Sequence, residues 1–394
     1  MSTPGTTTID DLLDGARSSR AAARRTRRRL ALAISGVVVL SWTSYVWASA
    51  QWGRVAGQWE AGLTMVVGSF VAGTTPQGGG AVAFPVFTKV LKVDPEVART
   101  FSLAIQAVGM GSATLAILIS RRRIEATIIA ILTPSAIVGF VAGLFLLGRP
   151  GEAFWPATLP SAYVKVTFTV IVAAMAFVVY LTHRSQLLVR ADRLPTRNGR
   201  VVALLAGTGL VGGVVSSLVG SGADVCLFIA AAVLLGVSPR VALTTSVVVM
   251  AIVSVVGLGV LGIADGQLQA APGTQPDLFG LWLAAVPVVA IGAPFGSWVA
   301  SQVSERKLVL LVVALGLLEV LTTVMFLDEL HSDVTLILFA AVMGAATLTG
   351  LWYLANRQRE LFALPALDLQ SPLLRGRVDA GPRYREDLAK GALR

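Results

Sequence analysis

Residues 71–90 read VAGTTPQGGGAVAFPVFTKV, and residues 215–234, 144 positions further on, read VSSLVGSGADVCLFIAAAVL. Each is an apolar segment interrupted by residues that do not continue a helix: Thr74-Thr75-Pro76-Gln77-Gly78-Gly79-Gly80 in the first and Gly220-Ser221-Gly222-Ala223-Asp224 in the second. Proline lacks the amide hydrogen that a helix interior uses, and glycine loses the most freedom on being held in one. The surrounding stretches, 61–91 and 201–236, therefore predict two helices joined by a loop rather than one rod each.

Working outward, the same offset aligns Gly68 with Gly212, Gly78 with Gly222, Phe84 with Phe228, Val93 with Val237 and Pro95 with Pro239, without a gap. It continues through Val97-Ala98 and Val241-Ala242, Thr100 and Thr244, Ser102 and Ser246, and Ala107 and Ala251. Further on, an offset of 153 pairs Pro134 with Pro287, Gly139 with Gly292 and Gly143 with Gly296. The chain thus holds two copies of one unit, each a broken segment plus three crossings, and an odd number of crossings inverts the second copy.

The rest of the chain supplies a membrane context. With 394 residues, 55% of them hydrophobic and 14% charged, it has more apolar surface than a soluble fold of this length buries, so the excess faces lipid. Spans of about 20 residues, enough to cross a core of ~30 Å, fall at 30–50, 99–119, 124–148, 163–182, 240–262, 278–303, 307–326 and 334–355. The net charge of +10 is spread in short clusters between these spans. It reads as a topology signal rather than a nucleic-acid surface.

Arg121, Arg122 and Arg123, then Arg184, Arg190, Arg193, Arg197 and Arg200, then Arg306 and Lys307, then Arg357 and Arg359 mark cytoplasmic segments. Asp265 and Asp277, and Asp328, Glu329 and Asp333, mark outer ones, with Lys89, Lys92 and Arg99 as outer exceptions. The bias holds only if each broken segment enters and leaves by one face, as a re-entrant hairpin or as two full crossings. The second arms, 81–91 and 225–236, reach only ~17 Å at 1.5 Å per residue, which favours hairpins.

The expected architecture is all-α and polytopic. A basic tail, 1–29, precedes a first helix at 30–52; repeat 1 covers 61–182 and inverted repeat 2 covers 201–326; a last helix, 334–355, precedes a tail at 356–394. This places both termini in the cytoplasm and the chain in the inner membrane. The N-terminal basic run, apolar stretch and Ala48-Ser49-Ala50 also mimic a cleavable signal, but the apolar run exceeds the usual ~7–15 residues.

One cysteine, Cys226, and two distant histidines, His183 and His331, exclude an internal disulfide and a Cys/His metal cluster. No cofactor is expected. Inverted repeats with matching interruptions point to a transporter whose site lies between the units near the midplane.

Gly68–Ala107 and Gly212–Ala251 resemble the TauE/SafE family of sulfite and organosulfonate exporters. Both carry a Gly-rich helix, a Gly-Gly-Gly or Gly-Ser-Gly break, a short helix with Phe84-Pro85 or Phe228, and a Pro-x-x-Ala-x-x-Thr/Ser start. The resemblance covers roughly 61–182 and 201–326 and implies export of a small sulfur-containing anion, such as sulfite, sulfoacetate or thiosulfate, driven by an ion or proton gradient. Asp224 stands where the first unit has Gly80, so the two half-sites are not alike.

Candidate substrate residues are those at the breaks, Thr74, Thr75, Gln77, Gly78, Gly79, Gly80, Ser221 and Gly222, since glycine admits close backbone approach and a helix start favours an anion. Close helix packing is the alternative for the glycines and helix capping for the hydroxyls. Gln106 lies ~16 Å into its span, near the midplane. Ser102, Thr244, Thr245 and Ser246 are weaker candidates nearer the segment ends.

Asp224 and Glu319 are candidates for ion coupling, because a carboxylate at membrane depth is costly and usually marks an ion path. Capping of its own helix is the alternative for Asp224, and a buried structural hydrogen bond the alternative for Glu319. Arg99 is a candidate at the outer mouth, with pairing to Glu96 as its alternative. The partners expected are the anion and the bilayer, with a homodimer left open and no nucleic acid. A channel, or an intramembrane enzyme for which no catalytic constellation is present, are the rival classes.

Overall fold

The computed structural model describes residues 26, 30, 33–147, 160–184, 193–194, 198–265 and 277–361. The basic N-terminal tail, apart from Thr26, and most of the C-terminal tail lie outside the described residues. What is described is helical throughout: α1 (Ala33–Ala48), α2 (Trp52–Ala56), α3 (Trp59–Thr74), α4 (Gly80–Pro85), α5 (Pro95–Ile119), α6 (Ala126–Leu147) and α7 (Ser161–Arg184). Then follow α8 (Gly199–Val219), α9 (Ala223–Phe228), α10 (Pro239–Asp265), α11 (Leu278–Gln302), α12 (Glu305–Phe326), α13 (Glu329–Ser332) and α14 (Val334–Leu361).

Both predicted interruptions are present, between α3 and α4 and between α8 and α9. Beyond each break the short helix widens into a π-helical turn, Val86–Val90 after α4 and Ile229–Leu234 after α9. Gly78 and Gly220 turn the chain with φ of +68° and +74°, a region in which a side chain is strained.

Among the described residues, 8 helices are long and apolar enough to cross a membrane, and seven of them coincide with spans read from the sequence. The first helix is described only over Ala33–Ala48, which is short for a span, whereas α8 alone has 21 residues and qualifies. Its counterpart α3 has 16. α8 is the first arm of the broken stretch 201–236, which the hairpin reading did not count as a crossing. The last helix also runs on to Leu361, past the expected end at 355.

The two units interlock. α3 packs along α11, the third long helix of the other unit, and α8 packs along α6 in the same reciprocal way, while α5 and α10 cross one another. Small residues make the close approach possible, as they do wherever lipid supplies no hydrophobic drive. A Cβ on Gly213 would strike the Ala136 carbonyl and come within 2.6 Å of the Phe140 amide, and one on Gly296 would lie 2.5 Å from the Phe70 carbonyl and 3.2 Å from Gly73. Gly143, the counterpart of Gly296, faces Ser217, the counterpart of Gly73, so one seam is built twice.

α1 docks on α11 through Ser35 Oγ donating to the Ala290 carbonyl at 2.7 Å and Trp42 Nε1 to that of Leu283 at 2.9 Å. Arg54 of α2 forms a two-point ion pair with Asp277, which caps α11. α12 and α14 turn Leu317, Leu321, Val324, Leu338 and Val342 outward, leaving broad apolar faces exposed.

The seam yields a paired prediction. Gly213→Ala should destabilise the purified protein by about 1–3 kcal/mol through overpacking, read as a lower unfolding midpoint in detergent. Gly207→Ala, in the same helix but with nothing within 4 Å of its Cβ position, should leave the midpoint unchanged or raise it.

Candidate functional site

The two breaks meet. Ser221 Oγ in the second donates to the carbonyl of Gln77 in the first at 3.1 Å. Gln106 of α5 sends Nε2 to the Gly220 carbonyl at 2.6 Å while also bonding Ser102 O at 3.1 Å and Ser102 Oγ at 3.0 Å. Ser102 Oγ lies 3.3 Å from the same Gly220 carbonyl. Peptide groups freed by one interruption are thus satisfied from the other unit, as an apolar environment demands.

Each break also serves itself. Thr74 and Thr75 turn their hydroxyls back to the Phe70 and Val71 carbonyls at 2.8 and 3.0 Å, so both finish α3. Asp224 Oδ1 accepts from the amides of Gly222 at 3.1 Å and Val225 at 3.0 Å, capping α9. The capping alternatives therefore describe Thr74, Thr75 and one oxygen of Asp224.

What remains is a set of polar atoms without partners among the described residues: Gln77 Nε2, Gln106 Oε1 and Asp224 Oδ2, on side chains no more than 1% exposed. The Gln106 amide is oriented by its neighbours, since the Ser102 and Gly220 carbonyls both need its nitrogen. Its oxygen is left facing Gly78, where Asp224 Oδ2 also arrives. The two oxygens sit 2.7 and 2.6 Å from the point a Gly78 Cβ would occupy. Neither oxygen has a described donor, and a buried acceptor is stable only where a proton, a cation or a donor reaches it.

Gly80 completes the junction by being small: a Cβ there would strike Ser102 Oγ and lie 2.8 Å from Ser221 and 2.9 Å from Gln106 Nε2. The asymmetry noted in the sequence thus has a packing reason. Gln106 occupies the room that a carboxylate at position 80 would need, and its own counterpart in the second unit is the buried Met250.

The remaining candidates lie elsewhere. Ser246 Oγ bonds only within α10, to Leu243 O at 2.9 Å. Thr244 Oγ1 donates to the Arg123 carbonyl at 2.6 Å, and Thr245 Oγ1 accepts from the Glu125 amide at 3.0 Å, so both fasten the α5–α6 turn rather than the breaks. Thr244 lines a cavity of about 550 Å³ with Arg121, Arg122, Arg123, Arg240 and Gly73. Arg99 is 2% exposed and reaches the Ser217 carbonyl at 3.4 Å, inside the fold.

Lys89, read from the sequence as an outer exception to the charge bias, is buried in the π-helical turn after α4. Its Nζ lies 2.5 Å from Glu319 Oε1 and 2.7 Å from Thr323 Oγ1, and Thr169 Oγ1 donates to the same carboxylate at 2.7 Å. The network joins the first broken segment to α7 and α12. Its partners are 230 residues apart in sequence, so local hydropathy carried no trace of the pairing.

A family model described as Sulfite exporter TauE/SafE matches residues 61–322, which takes in both units and both breaks. No curated protein and no solved structure matches the chain.

For the buried ion pair, removing one partner strands the other charge. Lys89→Met or Glu319→Gln should each cost about 3–5 kcal/mol, seen as loss of folded protein or a large drop in unfolding midpoint. Lys89→Met combined with Glu319→Leu should recover much of it.

Proposed function

Because the chain belongs to the TauE/SafE family of sulfite exporters, we propose that it exports a small sulfur-containing anion, sulfite, sulfoacetate or a related organosulfonate, from the cytoplasm across the inner membrane. The observation that carries this reading is the meeting of two interrupted helices in the buried centre, held together by Ser221 on Gln77 and Gln106 on Gly220. An interruption at membrane depth is maintained where it contacts a solute or a water-filled passage. Gln77 Nε2, a buried donor with no described partner, suits an oxyanion.

The units are inverted copies in this reading, and the anion site lies between them near the midplane. The reciprocal seams, α3 on α11 and α8 on α6, support that symmetry. Alternating access follows if one unit rocks against the other about these seams. Thr75, Gln77, Ser102, Gln106 and Ser221 are all at or below 1% exposure, which fits a carrier closed to both faces better than an open filter. Both termini would lie in the cytoplasm.

Coupling falls to Asp224. Its Oδ2 and Gln106 Oε1 converge on Gly78, so a proton or a small cation between them would draw the second break onto the first, and its release would free the contact. Glu319, neutralised by Lys89, takes the structural role instead.

Proteoliposomes test this. Saturable sulfite or sulfoacetate flux with counter-exchange is expected from the wild type, while high conductance without saturation would refute a carrier. Gln77→Ala should lower flux by about 10- to 100-fold, the worth of one hydrogen bond to a charged group, and Gln106→Ala should lower it by unfastening the Gly220 carbonyl, both with expression retained; wild-type kinetics in both would defeat the site. Asp224→Asn should fold and exchange substrate but lose its dependence on the driving gradient.

A further inference from the structure

The cavity beside the α5–α6 turn has a composition that topology alone does not require. A positive-inside bias is met by arginines anywhere in a cytoplasmic segment. Here Arg121, Arg122 and Arg123 from one end of the first unit and Arg240 from the start of α10 in the second converge on one concavity of about 550 Å³, together with the hydroxyls of Ser238 and Ser301. Among the described residues, no aspartate or glutamate lines it.

Among the described residues, Arg121, Arg122 and Arg240 form no ion pair. Arg122 is turned inward, its Nη1 donating to Ser297 O at 2.5 Å and Ser297 Oγ at 3.0 Å, neutral acceptors that position a guanidinium without cancelling its charge. Clefts lined by one sign of charge concentrate the opposite ion, and guanidinium forks match oxyanion geometry.

The cavity also reaches the α3–α11 seam. Its wall includes Gly73, one residue before Thr74 and the first break. A Cβ on Gly73 would strike the Ala293 carbonyl and the Ser297 amide, so the α3–α11 seam closes the way at the same helical turn that holds Arg122.

We propose that this cavity is a separate loading site that captures a hydrated, compact oxyanion of the sulfite or sulfonate type from the cytoplasm, ahead of the buried junction. It rests on the export reading above. The volume lies within the ordinary range for small-molecule sites, ~300–1,000 Å³, and exceeds the needs of a bare oxyanion. The anion therefore keeps part of its water there and sheds it only on passing Gly73. A phospholipid headgroup offers the same oxyanion chemistry and is the rival occupant.

The test uses the full chain with Arg121→Gln and Arg240→Gln combined, both side chains being exposed, and Arg122→Lys as a charge-preserving second variant. In phosphatidylcholine proteoliposomes the double variant should raise the sulfite concentration for half-maximal flux about tenfold from the cytoplasmic face, leaving maximal flux and the opposite face unchanged. Arg122→Lys should give a smaller shift of the same sidedness. Equal shifts at both faces, or none, would overturn the proposal. If the wild type moves no sulfur oxyanion, the export reading fails. The cavity is then judged by radiolabelled sulfite binding in detergent, where loss in the double variant upholds the site and unchanged binding sinks it. Arginine-dependent binding of phosphatidylglycerol with no sulfite binding would also sink it.

Discussion

A helix interrupted inside an apolar slab leaves amides and carbonyls that water cannot reach, and each must find a partner or the interruption does not persist. In this protein each interruption finds a partner in the other unit. Ser221 reaches the Gln77 carbonyl and Gln106 reaches the Gly220 carbonyl, so neither break is satisfied until both units are in place. The glycine seams exist to bring them there, and the buried polar cluster is the reason the seams meet where they do.

From rim to centre, the polar character changes in a physically sensible order. Full charges sit where water still enters, at Arg121, Arg122 and Arg240. Neutral donors and acceptors, Gln77, Ser102, Gln106 and Ser221, occupy the fully buried junction beside the carboxyl group of Asp224. A permanent charge there would bind an anion tightly and release it slowly, whereas amides and hydroxyls hold it through hydrogen bonds that can be exchanged. The buried charge of Lys89 is given its own carboxylate, Glu319, away from the junction.

Much of this was legible in residues taken singly or in pairs at fixed spacing. Pro76 with Gly78 to Gly80, and Gly220 with Gly222, announced the breaks, and Pro95 with Pro239 exposed the repeat. Gln77, Gln106, Ser221 and Asp224 stood out because each is polar in an apolar run, and the structure brings all four together. Thr244 and Thr245 look no different by that criterion, yet they bind the α5–α6 turn, because which face of α10 they occupy is decided by packing and not by composition. The pairing of Lys89 with Glu319 was hidden for the same reason. The exchange of Gly80 and Gln106 in one unit for Asp224 and Met250 in the other makes sense only once the side chains are seen competing for one space.

The exchanged packing, α3 against α11 and α6 against α8, means that neither unit is a domain in the folding sense. One copy alone would expose a ridge of glycines with no helix to lie in it and a break with half of its hydrogen bonds missing. If the copies are inverted, as proposed, a shorter ancestor could have closed that ridge only by meeting a twin inserted upside down in the same bilayer. Fusion of the two then replaced a demand on the balance of insertion directions with a demand on the threading of a single chain, and it released the twins to diverge, as Asp224 and Gln106 have.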